Sequence, residues 1–187
     1  MSKRNITKAT KLSFVEKPRS LASLQKELGI KNILALPKIK KVVVNAGLGR
    51  ALKDEKFLEV ALRDLGLITG QKPKVTLAKK SIANFKTREG VAIGAMITLR
   101  GKRMFDFISR LINIALPRTR DFRGIDLSSL DKNNNLTIGI KEHIVFPEVS
   151  GEEVKNIFGF EVTFVVKAKS REEALALYKA LGFPIKS

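Results

Sequence analysis

The spacing of apolar residues changes several times along the chain, and each change marks an element. Leu21, Leu24 and Leu28 recur at helical intervals, with Gly29 as a stop. The β-branched stretch 39–44 predicts a strand that runs into Asn45-Ala46-Gly47-Leu48-Gly49. Asp54 has the chemistry of a helix N-cap. Phe57, Leu58, Ala61, Leu62 and Leu65 then form one helical face, with Gly66 as the expected left-handed C-terminal residue. A short strand is predicted over 75–77, followed by a long basic connection and a clear strand over 91–100.

That last strand alternates. Val91, Ile93, Ala95, Ile97 and Leu99 point one way, and Ala92, Gly94, Met96, Thr98 and Arg100 the other. The first set suits a core. The second is small, and polar towards its C-terminal end, as an open sheet face would be with something large lying against it.

Met104, Ile108, Leu111 and Ala115 give the next helix its stripe, and Pro117 is expected to end it. Residues 118–135 are loop-like, with a turn at Asn133-Asn134-Asn135, and 136–146 and 161–169 are predicted strands. Ser170 and Glu173 have the spacing of a capping box for a last helix carrying Ala174, Leu177, Tyr178 and Leu181, stopped by Gly182. Strands separated by helices, with one hairpin-like pair in the middle, predict an α+β fold. It would have a single antiparallel or mixed sheet, helices packed mainly on one face, and a projecting basic hairpin-like loop. Residues 21–187 are expected to form one domain. Residues 1–20, basic, polar and containing Pro18, are expected to form a flexible arm.

Charge narrows the function. Of 187 residues, 36 are Lys or Arg and 18 are Asp or Glu, a net charge of +18 with a pI near 10.3. A folded domain this basic repels itself unless a polyanion neutralises it, and nucleic acid is the usual one. Anionic membrane is the rival, but it wants an apolar span of roughly 20 residues or an amphipathic helix with interfacial anchors. No such span is present and Trp is absent. The first residues lack the apolar stretch of a secretory signal, though Ser, Thr and Lys lend them some transit-peptide character. With no Cys there are no disulfides and no thiolate metal site, which fits a reducing compartment.

Catalytic constellations are missing. The single His, His143, falls on a predicted strand and suits a strand-face or RNA-adjacent imidazole better than a catalyst. With no Cys and no second His, the usual zinc ligand sets cannot be assembled. No Ser sits in a Gly-x-Ser-x-Gly elbow. Gly47-Leu48-Gly49 follows a strand, but the third glycine of a dinucleotide loop would fall at Leu52, and no Gly-Lys-Ser/Thr follows. Asp54 and Glu55 are acids at a helix start, which the helix dipole alone favours. An RNA-processing enzyme would need a carboxylate cluster for Mg²⁺ or a cofactor loop. A DNA reader would want a recognition helix rich in exposed Arg, Asn or Gln, whereas the helices here carry apolar stripes and a mixed polar side.

The informative stretch is Thr69-Gly70-Gln71-Lys72-Pro73-Lys74-Val75-Thr76-Leu77-Ala78-Lys79-Lys80-Ser81-Ile82-Ala83-Asn84-Phe85-Lys86-Thr87-Arg88. It has no acid, and its cations are interleaved with hydroxyls and amides that can donate to phosphate, ribose or base edges. The mixture recurs at Thr98-Leu99-Arg100-Gly101-Lys102-Arg103 and at Arg118-Thr119-Arg120-Asp121-Phe122-Arg123. Three such clusters point to an extended polyanion rather than one small ligand.

These clusters, continued by Ile138-Gly139-Ile140-Lys141-Glu142-His143 and Phe146-Pro147-Glu148, closely resemble the ribosomal protein L5 family, large-subunit proteins that bind 5S ribosomal RNA. The resemblance runs from about residue 36 to the C terminus. It implies an antiparallel sheet with helices on one side, no enzymatic activity and no cofactor. It implies that the sheet side holds 5S RNA, with Asn45, Gln71, Thr98 and Arg100 matching the family's RNA-contacting positions. The basic connection, with Lys74, Lys79, Lys80, Ser81, Lys86 and Arg88, is implied to reach transfer RNA in the peptidyl site. Lys102, Arg103, Arg118, Arg120 and Arg123 are further candidates for RNA contact. The implied partners are 5S and 23S-type ribosomal RNA, peptidyl-site transfer RNA, neighbouring large-subunit proteins and a small-subunit head protein across an intersubunit bridge. The implied location is the cytoplasmic ribosome, or an organellar one. Two features depart from the family pattern. Asn45-Ala46-Gly47 stands where Asn-Met-Gly is usual, and the first thirty or so residues match poorly.

Overall fold

The β-branched run after Pro37 forms the longest strand and organises everything else. The computed structural model describes residues 21–52, 54–85, 87–120, 122–149 and 156–186. The expected arm at 1–20 lies outside them, as does Lys86. Helix α1 (Leu21–Leu28) leads into strand β1 (Lys38–Gly47), helix α2 (Glu55–Thr69) and strands β2 (Lys74–Leu77) and β3 (Ala92–Leu99). Helix α3 (Gly101–Arg110) continues through a π-helical turn (Leu111–Ala115) into the short α4 (Leu116–Arg118). Strands β4 (Leu136–Ile140) and β5 (Phe160–Lys167) precede the last helix, α5 (Arg171–Ala180). All pairings are antiparallel, in the order β2-β3-β1-β5-β4, so the fold is α+β with one five-stranded antiparallel sheet.

Alternation separates the two faces of this sheet. Val42, Val44 and Ala46 of β1, Ala95, Ile97 and Leu99 of β3, Leu136, Ile138 and Ile140 of β4 and Val162, Phe164 and Val166 of β5 are buried. Against them pack Phe57, Ala61, Leu65 and Ile68 of α2, Met104, Phe107 and Ile108 of α3 and Ala174, Leu177 and Tyr178 of α5. The helices thus seal one side, and each fully buried Leu, Ile or Phe contributes about 1.5–3 kcal/mol relative to exposure.

The termini of α2 correct one expectation. Asp54 does cap it, its Oδ1 accepting from the N–H groups of Lys56 (3.0 Å) and Phe57 (3.3 Å). The left-handed residue, however, is Gly70 (φ 66°), not Gly66. Leu67 and Ile68 prolong the helix by another turn, and the Gly70 N–H donates to the Gly66 carbonyl at 2.8 Å.

Pro117 also behaves differently from expectation. It lies inside the final turn rather than beyond it. The preceding turn widens to a π geometry, the Leu116 N–H bonding back to the Leu111 carbonyl. A proline ring clashes with the carbonyl four residues earlier in a regular helix, and the wider turn accommodates it. The capping box of α5 holds: Ser170 Oγ accepts from the Glu173 N–H (3.2 Å), and Glu173 Oε2 accepts from the Lys169 N–H (2.8 Å).

The predicted strand over 136–146 stops at Ile140, because its partner β5 begins at Phe160, directly opposite. The chain then turns inward, and His143 is neither on a strand nor beside solvent. It is fully buried, stacked on Phe158 with ring centroids 4.1 Å apart. Its Nδ1 accepts from the Phe158 N–H (3.4 Å), so its proton sits on Nε2, which faces Asp64 of α2 at 3.5 Å. Burial holds the His143 pKa below its usual value against the opposing pull of the Asp64 carboxylate. The residue is a structural core histidine.

Candidate RNA-binding face

The uncovered face of the sheet is built from the alternate residues of the same strands. The registers place Val43 beside Thr98 and Thr163, with Thr137 completing the row; Thr137 and Thr163 share a hydrogen bond of 3.1 Å. The next row runs Gly139, Glu161, Asn45, Met96, Lys74. Beyond it Gly47, Gly94 and Thr76 line up. Gly94 is required there, since a Cβ would fall 2.7 Å from the Ala46 carbonyl oxygen and 2.8 Å from Thr76 Oγ1. These rows form a shallow surface of hydroxyls, amides and bare backbone, with no apolar side chain larger than valine except Met96.

Three of the four residues singled out as 5S RNA contacts are tied to this face by bonds or register. Asn45 is exposed in the central strand, diagonal to Thr98 across β1 and β3. Gln71, on the turn after α2, donates from Nε2 to the Thr98 carbonyl at 3.2 Å, which pins it against the end of the same strand. The fourth, Arg100, is exposed where β3 gives way to α3, in extended backbone (φ −142°, ψ 162°). Arg100 occupies the N-cap position of α3 with no side-chain bond to the helix. Lys102 and Arg103 follow, exposed, in a first turn that has no acid. Cations at a helix N-terminus oppose the dipole, so folding does not ask for them, whereas a phosphate would be met there by three cations and free backbone N–H groups.

The basic connection is a loop between paired strands, as predicted. It is closed at its base by the Ala78 N–H to Val91 carbonyl bond (2.9 Å). Near its tip Ile82 and Thr87 exchange bonds of 2.9 and 3.2 Å. Ser81 Oγ accepts from the Glu89 N–H at 3.0 Å, so this serine supports the loop. Lys79, Lys80 and Arg88 are exposed, and Phe85 is 72% exposed. Beneath lies a groove of about 780 Å³ lined by Ala78, Ile82, Phe85 and Ile93, with Lys79 and Lys80 among its walls. Lys74, grouped with this loop from sequence, is not on it. It starts β2 opposite Met96, and its register assigns it to the open sheet face.

Arg118, Arg120 and Arg123 are exposed where the chain leaves α4, a segment tethered to the C terminus by the Ile125–Ile185 bridge. No hydrogen bond or strand pairing among the described residues brings them to the sheet face. Sequence reasoning missed Glu161 and Thr163, which occupy the same open face from β5. Their alternation with Val162 and Phe164 was the available signal. Among the described residues there is no group of three or more His, Asp or Glu that could hold a metal. Nor is any helix long and apolar enough to cross a membrane.

Comparison with known proteins gives the arrangement its family. The family described as "Ribosomal protein L5" matches residues 32–88, and the family that describes the C-terminus of the same ribosomal proteins matches residues 92–185. The protein named "Large ribosomal subunit protein uL5" of Dichelobacter nodosus is 49% identical over 170 residues, covering 91% of this chain and 95% of the relative. The protein of the same name in Ureaplasma parvum is 54% identical over 173 residues (92% and 94%), and that of Prochlorococcus marinus 53% over 164 residues (88% and 92%). The chain belongs to the ribosomal protein L5 family, a family of structural, non-catalytic proteins of the ribosome.

Proposed function

We propose that this chain holds 5S ribosomal RNA against the open face of its sheet and so helps attach that RNA to the large subunit. The observation that carries the reading is the asymmetry of the sheet. Helices cover most of one face, while the other keeps Asn45, Thr98 and Thr163 uncovered by any helix and is bordered by Lys74 and Arg100. A bare polar face with no layer of its own is stable in a basic protein when a polyanion supplies the second layer. Residues 21–187 act as one RNA-binding unit, and residues 1–20 as a basic arm.

In the same reading, the loop between β2 and β3 contacts transfer RNA in the peptidyl site through Lys79, Lys80, Lys86 and Arg88. The family resemblance extends the partners to 23S-type RNA, neighbouring large-subunit proteins and a small-subunit head protein. The test is a salt titration of binding to 5S RNA. If about five phosphates are neutralised, the slope of log affinity against log salt is roughly −3.5 to −4.5. A slope near zero removes the electrostatic part of the proposal.

A further inference from the structure

Glu161 is the single acid in the five strands, and it stands on the open face, one strand in from the β4 edge, of a chain with net charge +18. It is exposed and forms no ion pair with any described residue. The register sets it directly beside Asn45, whose side chain is likewise exposed. On its other side is Gly139, where a Cβ would meet nothing within 4 Å. Directly opposed residues on one face have β-carbons about 4.5–5.5 Å apart, so a carboxylate and an amide stand abreast with open space next to them.

An unpartnered carboxylate facing phosphates is repelled by them, so charge alone would exclude Glu161 from an RNA surface. What a carboxylate does accept is a pair of adjacent N–H donors. Among unpaired bases only the Watson–Crick edge of guanine offers two side by side, N1–H and the N2 amino group, with O6 next to them as an acceptor. Carboxylates read base amino groups, and single-stranded RNA is recognised on such edges.

We propose that Glu161 and Asn45 form a guanine-reading subsite, the carboxylate accepting from N1–H and N2–H while the Asn45 amide donates to O6. This rests on the assignment of 5S RNA to the open face. Every other polar group there can serve phosphate or ribose without regard to sequence, so this pair would give the face its base preference.

The experiment measures binding of Glu161→Gln, Asn45→Ala and Thr98→Ala to 5S RNA and to an unrelated RNA duplex at one salt concentration. Glutamine keeps the shape and removes the charge, and it can present only one acceptor atom. The subsite requires Glu161→Gln to weaken 5S RNA binding roughly tenfold while leaving the duplex unchanged or slightly tighter. Replacing each unpaired guanine of 5S RNA in turn by inosine, which lacks the N2 amino group, should find one position that weakens the native protein and not the variant. If Glu161→Gln binds 5S RNA as tightly as the native chain or tighter, or no inosine position behaves so, the subsite is wrong even when Asn45→Ala and Thr98→Ala weaken binding. If those two variants bind 5S RNA normally, the assignment of RNA to this face fails, and the subsite with it.

Discussion

Along β1, Val42, Val44 and Ala46 lie under helices while Val43, Asn45 and Gly47, each one peptide away, look outward. Along β5, Val162, Phe164 and Val166 are buried while Glu161, Thr163 and Val165 face the other way. The strands are shared and the backbone bonds are the same, so the two faces differ only in side chains. One set was selected for volume and fits helices; the other is thin and hydrogen-bonding, and fits a partner that arrives after folding. Damage to the two faces should therefore separate cleanly into lost stability and lost binding.

The largest effect is expected on the covered face. Phe164 is fully buried and meets Phe183 edge-on, centroids 4.9 Å apart. Phe164→Ala should cost about 3–5 kcal/mol of stability, measured by denaturant unfolding. RNA affinity of the fraction that remains folded should be unchanged. On the open face, Thr98→Ala and Asn45→Ala should each weaken 5S RNA binding by about 1–2 kcal/mol, leaving the melting temperature and the salt slope nearly as they were. A melting temperature that falls while affinity holds would put Thr98 in the core.

Acid offers a smaller probe of the covered side alone. The folded protein holds His143 below its ordinary pKa, so the unfolded chain binds the proton more readily. Stability from this source is complete above about pH 6.5, the unfolded value, and is lost as pH falls below it. His143 is the only histidine, so a loss of stability as pH falls below about 6.5 that disappears in His143→Phe would be its signature. The smallest effect on 5S RNA is expected from the loop. Replacing Lys79 and Lys80 by alanine should leave 5S affinity nearly intact and weaken peptidyl-site transfer-RNA retention on reconstituted ribosomes. The opposite outcome would join the loop to the 5S interface.

The sheet faces were legible because period-2 alternation in 91–100 directly encodes which residues share a side. Asp54 and Ser170 announced their helices because N-cap chemistry is local. Gly66 misled because both Gly66 and Gly70 follow the apolar stripe, and only the packing of Ile68 decides how far the helix runs. His143 misled for a related reason. Nothing between Ile140 and Phe146 says that β5 begins at Phe160 and leaves no partner for a longer strand. Lys74 adjoins the loop's cations along the chain, but its register opposite Met96, not that adjacency, decides its place. The chemistry of the RNA-facing residues was visible as a mixture of cations and amides. Their convergence was not, since Gln71 and Thr98 are brought together only by the turn after α2.

Met96 and Phe105 allow the two sides to be compared in one experiment. Met96 is 36% exposed on the open face, and Phe105 is 42% exposed on the outward side of α3, among the helices. Hydroxyl-radical footprinting of the protein with and without 5S RNA reads both side chains at once. RNA bound on the open face should protect Met96 severalfold and leave Phe105 oxidised as before. Protection of Phe105 with Met96 still open would place the RNA on the helical side and contradict its assignment to the open face.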